Sequence, residues 1–111
     1  MKRIDLSQLV EEPVSHNPEI KKRVLFSNGE IPNITQYAQA RLEPGQVASG
    51  HIHMDMWEMF LCVDGNGTMK VNHTMFALHP GICVLVEPGE MHEIENTSSQ
   101  QLVLNTLGVV K

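Results

Sequence analysis

The chain has 111 residues, with 8 lysine plus arginine against 13 aspartate plus glutamate and a formal net charge of −5. That leaves room for one domain and denies it the basic surface on which nucleic-acid binding rests. Hydrophobic residues are 41% and charged ones 19%, a soluble globular balance that is too apolar for disorder and lacks the run of about 20 apolar residues a spanning helix needs.

The start, Met1-Lys2-Arg3-Ile4-Asp5, leads into charge rather than the apolar core of a secretion signal. Leu6, Leu9 and Val10 have helical spacing and Pro13 stops whatever turn they form. Residues 1–19 therefore read as a short N-terminal arm that must dock on something larger, because so short a helix is marginal alone. From Ile20 the period becomes two, with Ile20, Lys22, Val24 and Phe26 on one face before the Asn28-Gly29 turn. Lys21-Lys22-Arg23 is the only basic run; in so acidic a chain it reads as an edge strand guarded by charge rather than a binding patch.

Ile34 to Leu42 alternates, with Gln36, Ala38, Ala40 and Leu42 on one face and Tyr37, Gln39 and Arg41 on the other, and Pro44-Gly45 ends it. Glu58 to Val63 closes in the turn Asp64-Gly65-Asn66-Gly67, and Thr68–Val71 and Met75–Leu78 flank a hairpin turn. Ile82 to Val86 is an unbroken apolar run that reads as a buried strand; His92 to Glu95 alternates, and Gln101 to Val110 is a last strand. Short strands at near-regular spacing across residues 20–111 predict a single all-β domain. Cys62 and Cys83 form neither a disulfide framework nor a CxxC pair, which suits a cytoplasmic location.

Of six histidines, His16, His73 and His79 fall in polar or turn segments and read as exposed turn residues. His51 and His53 are two apart, so on a strand both leave the same face with Cα atoms about 6.5–7 Å apart, and converging imidazoles can share a metal. Glu58 heads an apolar strand with Phe60 and Cys62 on its own face, an odd place for a carboxylate without a partner or a metal. His92 shares a face with Ile94 and Asn96, while Met91, Glu93 and Glu95 form the wet one. Three histidines and one glutamate thus point into one β structure.

At these residues the chain resembles the cupin family. Gly45, five residues, His51-Ile52-His53, four residues, Glu58, six residues and Gly65 fit its first motif, and Gly81, Gly89, His92 and Asn96 fit its second. The one departure is Glu87 where the family has proline, with Pro88 following. The resemblance implies a cupin jelly-roll β-barrel in which His51, His53, Glu58 and His92 bind one divalent transition metal ion. Three imidazoles and a carboxylate leave a position open for water or substrate; Mn, Fe, Ni, Zn and Cu all suit such a set. Met54, Met56, Met59 and Met91 crowd the ligands but read as packing or pocket wall rather than as copper ligands. Asn96 reads as structural.

Gln36, Ala38, Phe60, Cys62 and Ile94 are the candidate substrate-pocket residues, and none is assigned as catalytic. Cys62 reads as a small buried hydrophobe rather than a redox thiol. Trp57, Met59, Leu61 and Val63 make the second face of the Glu58 strand apolar too, which calls for a cover: a second copy in a homodimer, as is common in the family, or the N-terminal arm. The function expected is a metal-dependent enzyme acting on a small molecule by isomerase, lyase or dioxygenase chemistry. The alternative is a non-catalytic cupin that binds or senses a small ligand. No nucleic-acid or membrane partner is expected.

Overall fold

Turn-forming pairs at short intervals cut the chain into ten strands in the computed structural model, which describes residues 1–111. They are β1 (Glu12–Pro13), β2 (Lys21–Phe26), β3 (Ile34–Leu42), β4 (Val47–Ile52), β5 (Met56–Asp64), β6 (Gly67–Val71), β7 (Thr74–Leu78), β8 (Cys83–Val86), β9 (Met91–Glu95) and β10 (Leu102–Val110). The only helical piece is a 3₁₀ turn at Leu6–Gln8, where the Asp5 carboxylate accepts from the Ser7 backbone at 3.0 Å and its hydroxyl at 2.7 Å. A single turn is all that so short a segment sustains. No helix is long and apolar enough to cross a membrane.

Pairing is antiparallel throughout and gives two sheets, one of six strands in the order β1-β2-β3-β10-β5-β8 and one of four in the order β4-β9-β6-β7. The jelly-roll β-barrel expected from the sequence is corrected here: the fold is all-β, but neither sheet closes on itself. Closure needs continuous pairing around the perimeter. On the large sheet the outermost strands are too short for it, β1 having two residues, of which Pro13 has no N–H to donate, and β8 having four. The sheets instead face each other across a core built from both. Ile20, Leu42, Phe60, Cys62, Val86, Leu102 and Leu104 belong to the larger side and Met69, Leu78 and Ile94 to the smaller.

The Ile82–Val86 run is not a buried strand either. β8 is the free edge of the large sheet, and Leu85 remains 52% exposed with Cys83 beside it. Leu61 and Val63 on β5 are exposed as well. The arm does not cover them, because β1 pairs with β2 at the opposite edge of the sheet.

Asn96 joins the two layers. Fully buried, its side-chain amide donates to Leu42 O at 2.9 Å and Gln100 O at 2.7 Å, while its Oδ1 accepts from the Ser98 backbone at 3.0 Å and hydroxyl at 2.8 Å. All of its donors and acceptors are thereby used, as burial demands. Gly65 is required for a different reason: its φ is +83°, and a Cβ there would lie 2.0 Å from Gln101 O. Gly29 has a similar φ of +94° with open space around it. Gly29→Ala is therefore expected to cost about 1–2 kcal/mol, the left-handed penalty alone, and Gly65→Ala more than about 3 kcal/mol or the fold itself. Urea unfolding of the two variants checks this; equal losses would mean that the approach to Gln101 is not close.

Candidate metal centre

Two strands of the small sheet and one of the large sheet bring the site together. On β9, alternation buries His92 (2% exposed) with Ile94 and Asn96. On β4, strict alternation would put Ala48 and His51 on opposite faces, but Ser49 and Gly50 together oppose the single residue Glu93, while Ala48 pairs with Ile94 and His51 with His92. This β-bulge returns His51 to the inner face. The Glu93 carboxylate accepts from the freed Gly50 N–H at 3.2 Å. His53 follows two residues later, just past the strand end, and reaches the same space. Glu58 comes across from β5 on the face that carries Phe60 and Cys62.

The candidate donor atoms of His51, His53, Glu58 and His92 all lie within 4.8 Å of one another. Glu58 Oε1 is 3.1 Å from His92 Nε2 and 3.6 Å from His53 Nε2. Two ligands at about 2.1 Å from one ion stand about 3 Å apart when adjacent and about 4.2 Å when opposed, so the cluster is within a small side-chain adjustment of a coordination shell. Despite that short 3.1 Å distance, Glu58 Oε1 and both ring nitrogens of His92 are buried without a hydrogen-bond partner. Polar atoms so placed need a partner, and a shared cation supplies one to Glu58 Oε1 and to His92 Nε2 at once, though not to His92 Nδ1 on the far side of the ring. His51 Nδ1 donates to Ser49 O at 3.0 Å, which fixes the tautomer and leaves Nε2 with a free lone pair. Burial holds the His51 imidazole below its ordinary pKa; the Ser49 carbonyl opposes this, and His92 and His53 add repulsion. A ring that stays neutral is the form a metal takes. The donor set therefore fits one divalent transition metal ion.

A cavity of about 290 Å³ opens from the cluster between the sheets. Of the pocket residues expected from the sequence, Gln36, Phe60 and Ile94 line it, whereas Ala38 and Cys62 are buried away from it. Ala38 is fully covered, while Ala40 on the same strand face lines the cavity. The Cys62 thiol is turned toward the strand end, 3.7 Å from Asp64 O and Gly65 O, and burial pushes its pKa up. Among the methionines near the ligands, Met56 lines the wall, its sulfur 3.2 Å from the Thr35 hydroxyl, and Met54 is exposed. Tyr37, Gln39 and Arg41 face out, with Arg41 paired to Glu11 at 2.9 Å.

Several lining residues were not anticipated. His16 is exposed in a bend, as read from the sequence, yet it stacks on His51 with ring centroids 3.9 Å apart and 25° between planes, and Val14 and Ser15 line the wall beside it. Burial of the inner side of the ring and the neighbouring His51 hold the His16 pKa below its usual value. Nothing in its spacing marks it, since it comes from the arm. Lys22 also lines the cavity; its signal was present in the alternation that places it between Ile20 and Val24. Thr35 enters through a second bulge, where Ile34 and Gln36 pair with Val109 and Gly108 and leave Thr35 over. His73 and His79 are exposed and do not belong to this cluster.

The Cupin domain family model matches residues 38–109. No functionally curated protein matches the chain. Among solved structures, a predicted oxalate decarboxylase from Thermotoga maritima is 21% identical over 99% of this chain and 100% of its own, with a TM-score of 0.92. A sugar phosphate isomerase of the cupin superfamily from Silicibacter pomeroyi is 18% identical over 99% and 76%, with a TM-score of 0.84. The cupin domain of Schizosaccharomyces pombe Cnp3 is 17% identical over 96% and 72%, with a TM-score of 0.82. At these identities the likeness is one of fold.

The two cysteines give a test of the inner and outer faces. In a chain whose outer β5–β8 face is uncovered, DTNB near neutral pH should label about one thiol, because Cys83, opposite Leu61 on that face, is exposed while Cys62 is buried with its pKa raised; a second copy seated on that face should slow the labelling. Cys83→Ser should remove the native reaction, and denaturant should expose the second thiol. Native labelling of Cys62 in that variant would show that the strand end is open.

Proposed function

Since the chain belongs to the cupin superfamily, we propose that it is a metal-dependent enzyme acting on a small molecule, with His51, His53, Glu58 and His92 holding one divalent ion of Mn, Fe, Ni, Zn or Cu. The observation that carries this reading is the orphaned state of Glu58 Oε1 and of the facing His92 Nε2 within a donor set that spans no more than 4.8 Å. When bound, the ion supplies Lewis acidity toward an oxygen of the substrate. The chain does the rest: Phe60, Ile94, Leu104 and Met56 keep water from the walls, and Gln36, Thr35, Thr106 and Lys22 offer polar groups that orient a ligand.

Isomerase and lyase chemistry fit the names carried by two of the similar structures, a sugar phosphate isomerase and a predicted oxalate decarboxylase; dioxygenase chemistry is the third class. One observation favours the second reading, a module that binds or senses a small ligand without turnover. Glu58 is the sole carboxylate lining the cavity, so no acidic residue is left over as a general base once it ligates the ion.

Elemental analysis of protein purified without chelators should find about one transition-metal ion per chain. Glu58→Ala and His53→Ala should each lower metal affinity by about 100-fold or more while the domain stays folded, and His73→Ala should leave it unchanged. Loss of the ion in His73→Ala equal to that in His53→Ala would sink the assignment.

The outer face of the large sheet supports a homodimer. Leu61, Val63 and Leu85 lie together across β5 and β8, and a second copy of the same face is the self-complementary cover for them. Light scattering should give the mass of a dimer for the parent and of a monomer for Leu61→Glu/Leu85→Glu. A monomeric parent would remove the proposal. The unpaired Cys62 and Cys83 agree with a cytoplasmic setting.

A further inference from the structure

We propose that Lys22, held against Gln36, is an anion anchor, and that the cavity takes a small dicarboxylic acid, one carboxylate on Lys22 and the other end at the metal centre. The near end of that ligand rests on the metal-site reading above; the anchor stands on its own geometry.

Lys22 lies on β2, three strands from β5 in the six-stranded sheet, so the ammonium and Glu58 belong to separate parts of one cavity wall. Its backbone pairs with Ala40, yet its Nζ donates to Gln36 Oε1 at 3.0 Å, four residues along β3. The side chain thus runs along the inner face past alanines rather than turning out to solvent. A lysine on a strand that borders only a two-residue neighbour has an easy route to water; this one points inward.

It makes no ion pair there. Its hydrogen-bond acceptor is a neutral amide, and Glu58 is the only carboxylate among the lining residues. Gln36 is placed to orient the ammonium without neutralising it. A divalent ion, Glu58 and Lys22 together leave two positive charges in a cavity with otherwise neutral walls, and a dianion complements them.

Gln36, Gly108 and Glu58 are in register across β3, β10 and β5. Gln36 and Glu58 therefore stand about 10 Å apart at Cα, and over the glycine between them the side chains of Thr35 and Met56 form the cavity wall. The volume of about 290 Å³ is at the lower end of small-molecule sites. A diacid of about five carbons fits within it.

The experiment is calorimetric titration of the parent and Lys22→Met, each as isolated and after metal loading, with malonate, succinate and 2-oxoglutarate as probes. The monoacid 2-oxovalerate is the control. At least one diacid should bind the parent about tenfold to hundredfold more tightly than Lys22→Met, and 2-oxovalerate should bind both alike. Lys22→Arg should restore most of the difference, and Lys22→Gln carries the same comparison if Lys22→Met does not fold.

Diacid binding that is absent, or equal in parent and variant, overturns the anchor. Metal content, measured on the same samples, separates the two readings. A parent that loads metal but does not distinguish Lys22→Met loses only the anchor. A parent that loads no metal but still binds a diacid through Lys22 keeps the anchor and loses the metal-site reading.

Discussion

Desolvation of a carboxylate and three imidazoles in one inter-sheet space is the constraint around which this molecule is arranged. Glu58 shares its strand face with the buried Phe60 and Cys62, and the Phe60 ring lies 5.6 Å from that of His92. Glu58 Oε1 and the facing His92 Nε2 have no hydrogen-bond partner in the protein, and a polar atom so placed costs several kcal/mol. The strands must therefore deliver the donors to one point, where a single cation can satisfy them together. Asn96 meets the same constraint within the protein, with every polar atom of its side chain bonded. The contrast between these two buried groups separates a structural polar residue from a ligand.

Irregular strands do the aiming. A sheet that alternated without interruption would turn His51 outward from the position of Ala48, and it would leave Thr35 on the outer face beside Gln36. The bulge at Ser49–Gly50 and the one at Thr35 each add a residue, and each restores or adds an inward side chain at the cavity. The Ser49 carbonyl exposed by the first bulge then orients the imidazole two residues on. Local disruption of pairing, a small loss in sheet energy, is offset by the placement of ligands and walls.

The two faces of β5 have separate tasks because the side-chain period is two. Glu58, Phe60 and Cys62 face the opposite sheet, while Leu61 and Val63 face away, where no layer of this chain covers them. The N-terminal arm lies elsewhere: its Val14 packs on the core and, with Ser15 and His16, forms part of the cavity wall. The cavity is thus built by distant parts of the chain, the arm and β2 closing a space whose metal-binding side is built from β4, β5 and β9.

Much of this was legible in the sequence. Alternation and turn pairs located most strands within a residue or two, and the spacing of His51, His53, Glu58 and His92 marked residues that the tertiary structure brings within 4.8 Å. Those signals are local, since periodicity and turn chemistry act over a few residues. What escaped was set by partners distant in sequence. The β8 run looked buried because it is wholly apolar, but burial depends on which strand lies outside it, and β8 has none. Barrel closure depends on edge-to-edge pairing, which no strand pattern specifies, and the sheets stayed open. His16 meets His51 only because the arm folds back along β2, and Lys22 looked like a guard on an edge strand until its inward parity was completed by Gln36. The sequence by itself determined the strands, the turns and the four donors, because these follow from local backbone and side-chain chemistry. Only the tertiary structure decided which residues wall the cavity and where charge lies within it, because those follow from which faces meet.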